Sequence, residues 1–266
     1  MKVSELVPTV RLFKHITDST YKCWVKAAKP IWDCDTDDIN HLFVARYSTK
    51  QLKPVGPVSK ATLVRRLTLL SGIWGTAIEK KLIEGENYWE GSSKDVNYHE
   101  EYEDRYPHRT WEFYAPFHED PMFLGLWYHG MRIGEFAGLL PSEIVFNDEI
   151  PYFDIKTNEH RSIKPGSKRK LPIHPSFFPY IDEVEFERRK DPGKNWSEKF
   201  NKSLQLPRGE AAHSIRHRFH TILRTHEIPD PLLDRLTGHK RKSMSDRYGI
   251  WTMEHKLKWI KKIGRY

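Results

Sequence analysis

Apolar residues recur every three or four positions through much of the first hundred residues, which is the spacing of amphipathic helices. The pattern runs over residues 3–29 and resumes over 39–45, after a capping-type cluster at 35–38. The strongest stripe begins after Ser59, a candidate N-cap, and predicts a helix as far as Ile83. Its apolar positions are Leu63, Leu67, Leu70, Ile73, Trp74, Ala77 and Ile78. We therefore predict a helical first region with this stripe facing the core.

The composition changes between residues 84 and 120, where acidic side chains collect among Gly85, Gly91 and Pro107. This stretch is typical of an interdomain linker and of the entry to a second domain. Beyond it, Asp120–Pro121 has the residue types of an N-cap and a first helical turn. An apolar run follows and ends near a glycine at position 130, so we predict a buried helix there.

Residues 144–173 have the alternating pattern of β-strands. The segments 144–146 and 150–155 flank a turn at Asn147–Asp148, and residues 168–173 alternate basic and apolar side chains. We predict a small three-stranded antiparallel sheet from these segments. Helical patterns follow over 177–196, over 197–202 and, in the tail, over 251–266.

Composition narrows the class of protein. The 266 residues suffice for one large or two modest domains, and the hydrophobic content of 38% is enough for a packed core. The formal charge of +8 favours a polyanionic partner, with nucleic acid ahead of an anionic membrane surface. No apolar run approaches the roughly 18 residues that span a bilayer, and the N-terminus lacks a signal-peptide core. Cys23 and Cys34 form neither a disulfide framework nor a zinc pattern, so we expect an intracellular, cytoplasmic location.

Residues suited to phosphodiester chemistry lie between positions 211 and 250. His213 and Arg216 have H-x-x-R spacing and share one face of a predicted helix. Gly238 ends a second predicted helix, His239 comes directly after it, and Tyr248 follows His239 by nine positions. Imidazole, guanidinium and phenol groups suit attack on a phosphodiester better than they suit a metal site.

A further arginine precedes this segment. Arg132 opens a predicted helix, and Glu135 lies three positions later on the same helical face. Taken alone, the two residues are most simply an ordinary helix ion pair. Taken with the downstream histidines, arginine and tyrosine, Arg132 becomes a candidate phosphate ligand and Glu135 its support.

His213, Arg216, the Gly238–His239 pair and Tyr248 together resemble the catalytic segment of the tyrosine recombinase (phage integrase) family. The string HGMRIGEFAGL around Arg132 resembles that family's first arginine motif. The combined pattern is much more specific than an isolated H-x-x-R. The resemblance implies a site-specific recombinase that cleaves and rejoins DNA strands through a 3′-phosphotyrosyl intermediate.

The resemblance also implies a fold class and a division of the chain. The fold would be mainly α with a small antiparallel β-sheet (α+β), with a helical core DNA-binding domain over 1–100 and an integrase-type catalytic domain over 101–266. In the first domain, Lys60, Arg65 and Arg66 would contact DNA phosphates. From the residues alone, a solvated basic face is an equal alternative, and the resemblance favours DNA.

The resemblance assigns a role to each candidate residue. Arg132 and Arg216 would bind the non-bridging phosphate oxygens. His213 would help to accept the tyrosine proton, and His239 would hydrogen-bond a non-bridging oxygen. Tyr248 would form the covalent bond. No metal and no nucleotide cofactor would be required.

A lysine general acid completes the family's site, in the turn between its second and third strands. The string SIKPGSKRKLPIHP resembles that turn and strand, with Lys164 at the lysine position. Lys156 is the main competitor for this role. Lys168 and Lys170 would instead contact backbone phosphates.

The partners that the resemblance implies are double-stranded DNA recombination sites, a homotetramer in the DNA synapse and accessory DNA-bending proteins, with a nucleoid-associated location and no membrane. The tail helix would dock either on its own domain or on a neighbouring subunit. Two alternatives to a recombinase remain open. One is strand relaxation of the type IB topoisomerase kind, and the other is a DNA-binding protein of integrase fold whose catalytic residues are relics.

Overall fold

The computed structural model describes residues 1–52, 56, 58–96, 109–206, 211–239 and 251–265. The chain divides into two compact units, Met1–Glu103 and Asp104–Tyr266. Helices dominate the described parts of both units, and a small antiparallel sheet belongs to the second, which confirms the predicted fold class. Among the described helices, none is both long and apolar enough to cross a membrane.

The first unit contains, in its described part, the helices α1 (Val3–Arg11), α2 (Asp18–Ala28), α3 (His41–Gln51) and α4 (Lys60–Glu79). The helical pattern over 3–29 covers two helices, because the chain leaves helical geometry after α1 and a second helix begins beyond Thr17. The Thr17 hydroxyl caps α2 by accepting the backbone N–H of Thr20 at 3.2 Å. A capping residue inside the apolar pattern therefore divides it.

Two other helix starts test the capping predictions. The cluster at 35–38 does not cap α3, because Thr36–Asp38 form a short 3₁₀ helix of their own. The cap of α3 is Asn40, whose side chain accepts a backbone N–H at 3.0 Å. In α4, Ser59 holds the predicted N-cap position, but the helix ends at Glu79, short of the predicted end at Ile83.

The apolar stripe of α4 forms much of the first unit's core. Its buried members are Leu63, Leu67, Leu70, Ile73, Trp74 and Ala77. α4 packs against α1 and α2, and the Trp89 ring meets Trp74 edge to face with centroids 5.6 Å apart. Ile78, also predicted to belong to the stripe, is half-buried. The stripe thus predicts the buried face of α4 well.

The second unit contains, in its described part, β1 (Ile144–Val145), β2 (Tyr152–Ile155) and β3 (Arg169–Pro172), with α5 (Pro121–His129), α6 (Ile133–Ala137), α7 (Lys194–Ser203), α8 (Ser214–Thr225), α9 (Asp230–Thr237) and α10 (Met253–Ile260). The strands form one antiparallel sheet in the order β1-β2-β3, as predicted. Phe153 in the middle strand pairs with Ile144 on one side and Leu171 on the other. α9 and α10 both pack against β3, which places this edge of the sheet beside the candidate site.

α5 is buried from Met122 to His129. The Asp120 carboxylate accepts the Phe123 N–H at 2.9 Å, and Gly130 ends the helix with a φ of 57°. A Cβ at Gly130 would lie 2.3 Å from the Phe219 ring of α8. Glycine is therefore required there by backbone conformation and by packing, and the predicted helix end is confirmed.

The predicted helix over 177–196 is wrong. A 3₁₀ helix occupies Pro175–Glu183, and the chain then runs without helix until α7 begins after Gly193. In between, the Glu187 N–H donates to the Ala137 carbonyl at the end of α6 at 2.7 Å. The Glu187 N–H therefore has its partner in α6 and not in a helix of its own, and a helical apolar pattern alone does not reveal such a contact. The predicted segment 197–202 lies within α7.

The tail helix α10 packs on its own unit. Ile260 and Ile263 are buried in that unit's core. The indole N–H of Trp127 donates to the Gly264 carbonyl at 3.1 Å, which ties the segment after α10 to α5. Of the two docking modes left open by the sequence, this structure contains the one within a single chain.

Candidate active site

The candidate site is built around the C-terminal end of α9. Gly238 ends this helix in the left-handed region with a φ of 69°. The last carbonyls of a helix have no intrahelical partner and carry its partial negative charge, so they attract cationic donors. Two of the predicted arginines meet consecutive carbonyls here. Arg216 donates through Nη2 to the Thr237 oxygen at 2.6 Å, and Arg132 approaches the Gly238 oxygen through Nη2 at 3.4 Å.

Arg216 reaches this point from the first turns of α8 and is only 4% exposed. Its Nη1 donates to the Gly130 oxygen at 2.8 Å, so the guanidinium joins the ends of α5 and α9. Burial, and then the charge of Arg132, lower the pKa of Arg216 to about 9, which leaves it protonated at neutral pH. The group is a fixed cation whose plane is held by two carbonyls.

Arg132 lies at the N-cap position of α6, and its side chain is 22% exposed. Its Nη1 donates to Glu135 Oε1 at 2.6 Å, and its backbone N–H donates to Glu135 Oε2 at 3.1 Å. Burial alone would raise the pKa of Glu135, but Arg169 and then Arg132 outweigh it and bring the pKa down to about 2. The ion pair considered in the sequence analysis is therefore present, and it orients a guanidinium that solvent can still reach.

His239 follows Gly238 and lies against Arg216. Its Nε2 is 3.2 Å from Arg216 Nη2, and its Nδ1 is 3.2 Å from the Thr237 hydroxyl and 3.5 Å from Asp234. Burial, and then the charge of Arg216, lower the pKa of the imidazole. A guanidinium can only donate, so Nε2 accepts in this contact and the ring proton is assigned to Nδ1. The hydrogen bond to a non-bridging oxygen predicted for His239 would need a donor, which is Nδ1 in this tautomer.

His213 occupies the N-cap position of α8, on the exposed side of the site. Loss of hydration against the surrounding protein, followed by the charge of Arg216, lowers the pKa of His213 to about 4. Arg132 and Lys164 contribute further to this shift. The imidazole is therefore neutral at physiological pH, in the form that can accept a proton.

Two further histidines near the site have different surroundings. His220 is half-buried, its ring lies 5.1 Å from that of His239, and burial lowers its pKa to about 3. His129 is fully buried, with Nδ1 2.8 Å from the Gly125 oxygen and Nε2 accepting the His174 N–H at 2.9 Å. His129 is thus a core residue that joins α5 to the chain after β3.

Lys164 lies in the turn between β2 and β3, on the surface. It lines an open groove of about 600 Å³ together with Arg132 and Glu135. Its competitor Lys156 is occupied by Asp154, with Nζ 2.7 Å from the carboxylate, and this contact raises the pKa of Lys156. These surroundings favour Lys164 as the general acid.

The predicted DNA-binding residues are distributed over both units. Lys168 and Lys170 are exposed around β3, and the Lys170 ammonium lies over the Tyr152 ring at 4.5 Å. In the first unit the predicted residues are on α4, where Arg65 is exposed, Lys60 is half-buried, and Arg66 is half-buried with Nη1 2.7 Å from Gln51. Contact of these side chains with DNA remains a prediction.

Tyr248 lies outside the described residues. The structure therefore brings together Arg132, Arg216 and His239, with His213 at the start of the same helix as Arg216. The assignment of the nucleophile continues to depend on the sequence resemblance.

Arg169 is a site residue that the sequence analysis missed. It lies on β3 and donates through Nη2 to Glu135 at 2.8 Å and through Nε to the Leu236 oxygen at 2.8 Å. A signal for it exists in the sequence. Arg169 shares a strand face with Leu171 and Ile173, and an arginine at an inward-facing strand position requires buried acceptors.

Comparison with solved structures identifies the fold. Integrases match over nearly the whole chain. The Tn1549 transposon integrase in complex with transposon right end DNA has a TM-score of 0.66 at 17% identity, covering 96% of this chain and 97% of that one. A lambda integrase (75–356) dimer bound to a COC′ core site has a TM-score of 0.66 at 17% identity, covering 95% and 98%. No protein-family model and no curated protein matches the chain.

A third match is the lambda integrase tetramer bound to a Holliday junction, with a TM-score of 0.64 at 17% identity over 92% of this chain and 79% of that one. The class defined by these structures is the integrase fold. The present chain has that fold, as the sequence resemblance to tyrosine recombinases implied.

Proposed function

We propose that the chain is a site-specific DNA recombinase that cuts and rejoins strands through a covalent bond between Tyr248 and a DNA 3′-phosphate. The observation that carries the proposal is the pair of guanidinium groups, Arg132 and Arg216, held on adjacent carbonyls at one helix end. Such a pair forms a preorganised site for a phosphodiester, because its donors are oriented before the ligand arrives. The likeness to integrases whose structures contain DNA supports the same assignment.

The charge balance of the site suits this reaction. Glu135 is shared by Arg132 and Arg169, so the three arginines around the end of α9 retain a positive excess. Attack on a phosphodiester builds additional negative charge on the non-bridging oxygens, which fixed guanidinium groups stabilise more strongly than the ground state. The arginines therefore supply transition-state stabilisation, and no step needs free water or ATP.

The histidines determine how the phenol loses its proton. A phenol has an ordinary pKa near 10, several units above the value of about 4 for His213. His213 therefore does not deprotonate Tyr248 in advance; it accepts the proton as the oxygen–phosphorus bond forms and negative charge develops beside it. Lys164 protonates the 5′ oxygen that leaves, and the phosphotyrosyl bond conserves the energy needed to rejoin the strand.

A nicked suicide duplex tests the enzyme directly, because loss of a short 5′ fragment traps the covalent intermediate. We expect a protein–DNA band that survives denaturation, and its loss in Tyr248→Phe with duplex binding retained. Tyr21→Phe, which removes the same hydroxyl from the first unit, is the matched control and should keep the band. A chain that binds duplex but forms no band would be a DNA-binding relic.

The same intermediate separates recombination from strand relaxation. A recombinase transfers the bound strand to the 5′ hydroxyl of a second duplex, whereas a type IB topoisomerase reseals the original one. We propose that transfer occurs between double-stranded recombination sites in a homotetramer on DNA, assisted by accessory DNA-bending proteins. Cross-linking with and without a synaptic DNA substrate measures the assembly. Relaxation of plasmid without any transfer product would favour the topoisomerase alternative.

A further inference from the structure

Arg169 joins three segments that carry candidate catalytic residues. Its side chain is 6% exposed, and three of its nitrogens have separate partners. Nη2 donates to Glu135 Oε2 at 2.8 Å, Nη1 to the Ser167 oxygen at 2.9 Å and Nε to the Leu236 oxygen at 2.8 Å. With so little exposure and these protein acceptors, the guanidinium is placed to organise other groups and not to bind DNA itself.

Each partner of Arg169 leads to a different part of the site. Glu135 holds Arg132 through two hydrogen bonds. Leu236 belongs to the end of α9, directly before the carbonyl that Arg216 binds. The third partner, Ser167, lies in the turn that carries Lys164.

The side chain of Ser167 adds a second connection between these segments. Its hydroxyl donates to the Gly238 oxygen at 2.7 Å and lies 3.4 Å from Arg132 Nη1. The turn after β2, the start of α6 and the end of α9 are thereby connected in one hydrogen-bonded network. Arg169, on β3, bonds directly to each of the three segments at 2.8 or 2.9 Å.

Packing against Gly238 is independent evidence that the position of the Arg169 side chain is constrained. A Cβ at Gly238 would lie 2.4 Å from Arg169 Nη1 and 2.9 Å from its Cζ. The guanidinium therefore occupies the space that any other residue at position 238 would need. The same glycine also adopts a φ of 69°, so two requirements coincide at the helix end that the catalytic arginines bind.

We propose that Arg169 is a positioning residue for DNA cleavage. It fixes the positions of Arg132, the Lys164 turn and the end of α9 relative to one another. The inference rests on the proposed function. A residue that served the fold alone would change the free energy of unfolding without a specific change in the cleavage step. A positioning residue changes the rate of cleavage in protein that is folded and bound to DNA, since small displacements of catalytic groups are costly.

The first test is Arg169→Lys, which keeps the positive charge beside Glu135 but removes the planar fork. We expect covalent cleavage of the suicide duplex to slow by roughly 10- to 100-fold under saturating protein, with duplex affinity unchanged within about twofold. Arg218→Lys is the matched control. Arg218 is also buried, and its Nε also donates to a backbone carbonyl, that of Arg109 at 3.1 Å. The partner in this bond is not a candidate catalytic residue.

The second test is a pH profile, which a purely structural role would leave unchanged. The charged groups that act on Glu135 are Arg132 at the start of α6, Arg169 on β3, Arg216 on α8 and Arg161 before β3. In Arg169→Met the largest attraction is lost, so burial raises the pKa of Glu135 from its value of about 2. Protonation then releases Arg132, and we expect cleavage by this variant to fall at a higher pH than cleavage by the wild-type chain as the pH is lowered.

Gly238→Ala provides a third variant in case Arg169→Met does not fold, because it displaces the guanidinium without removing it. Slower cleavage by folded Arg169→Lys or Gly238→Ala supports the inference. Wild-type cleavage rates in both, at equal folded fraction, overturn it. If the wild-type chain itself gives no covalent product, the proposed function fails instead. The wild-type reaction therefore separates a failure of the proposed function from a failure of the inference about Arg169.

Discussion

Replacement of Arg216 by lysine tests the arrangement at the end of α9 most stringently, because charge is kept while geometry is lost. Arg216 donates to the carbonyls of Gly130 and Thr237 at 2.8 and 2.6 Å. A single ammonium on a different stem cannot reproduce this planar fork, so one buried carbonyl loses its partner. We expect the free energy of unfolding to fall by about 1–3 kcal/mol.

The effect on cleavage should exceed the effect on folding. A misplaced cation loses much of its contact with the charge that builds in the transition state, and a single donor of this kind is worth on the order of 10²–10³ in rate. We expect single-turnover formation of the covalent product from a suicide duplex to slow by about that factor. Duplex affinity, measured at fixed salt, should change by less than about threefold, because many other phosphate contacts remain.

Arg224→Lys is the control on the same helix. Arg224 is 66% exposed, and its ion pair with Asp230 at 3.7 Å is of a kind that contributes about 0–1 kcal/mol. Its cleavage rate should stay within about twofold of wild type. If Arg216→Lys cleaves as fast as Arg224→Lys while remaining folded, the guanidinium does not act on the scissile phosphate and our reasoning about the site is wrong.

Three further outcomes follow from the structure. The pKa of Glu135 is lowered from 4.5 to about 2, so its contribution to stability is present above pH 4.5 and is lost as the pH falls towards 2. The free energy of unfolding in urea should fall by an amount on the order of 3 kcal/mol over that range, and Glu135→Gln should not show this fall. A wild-type free energy of unfolding that does not change over the range would disprove the prediction. Gly130→Ala places a Cβ 2.3 Å from Phe219 at a φ of 57° and should lower the free energy of unfolding by at least about 1–3 kcal/mol. Gly72→Ala in α4 meets nothing within 4 Å and should be neutral or stabilising when both variants are compared by thermal unfolding. Covalent cleavage should persist in EDTA, since arginines supply the charge stabilisation in our proposal; a product that needs added divalent cation would contradict this.

Several features of the fold could be predicted because a local rule decides them. The end of α9 depends on Gly238 and the end of α5 on Gly130, and each glycine adopts the left-handed conformation that such ends require. The hairpin around Asn147–Asp148 depends on strand alternation and a polar turn. In these cases the residues near a feature determine it, so a single sequence contains the information.

Other features depend on contacts between distant segments. The chain after Pro175–Glu183 is not helical, and the Glu187 N–H bonds to the end of α6, a contact that residue spacing does not show. Arg169 was missed for a related reason. Two of its acceptors, Glu135 and Leu236, are distant in the chain and meet Arg169 only in the folded unit.

Within the site, the sequence indicated which residue types cluster but not how they are held. The H-x-x-R spacing and the Gly238–His239 pair selected His213, Arg216 and His239. That the arginines donate to the carbonyls at the end of α9, and that His239 accepts from Arg216, depends on tertiary geometry.

The central claim is that Tyr248 becomes covalently joined to DNA. The most direct measurement is mass spectrometry of peptides from wild-type protein trapped on a suicide duplex and digested with nuclease and protease. We expect a 3′-linked nucleotide on the peptide that contains Tyr248, and on no other peptide. A nucleotide on a different residue, or trapped protein without any modified peptide, would contradict the claim.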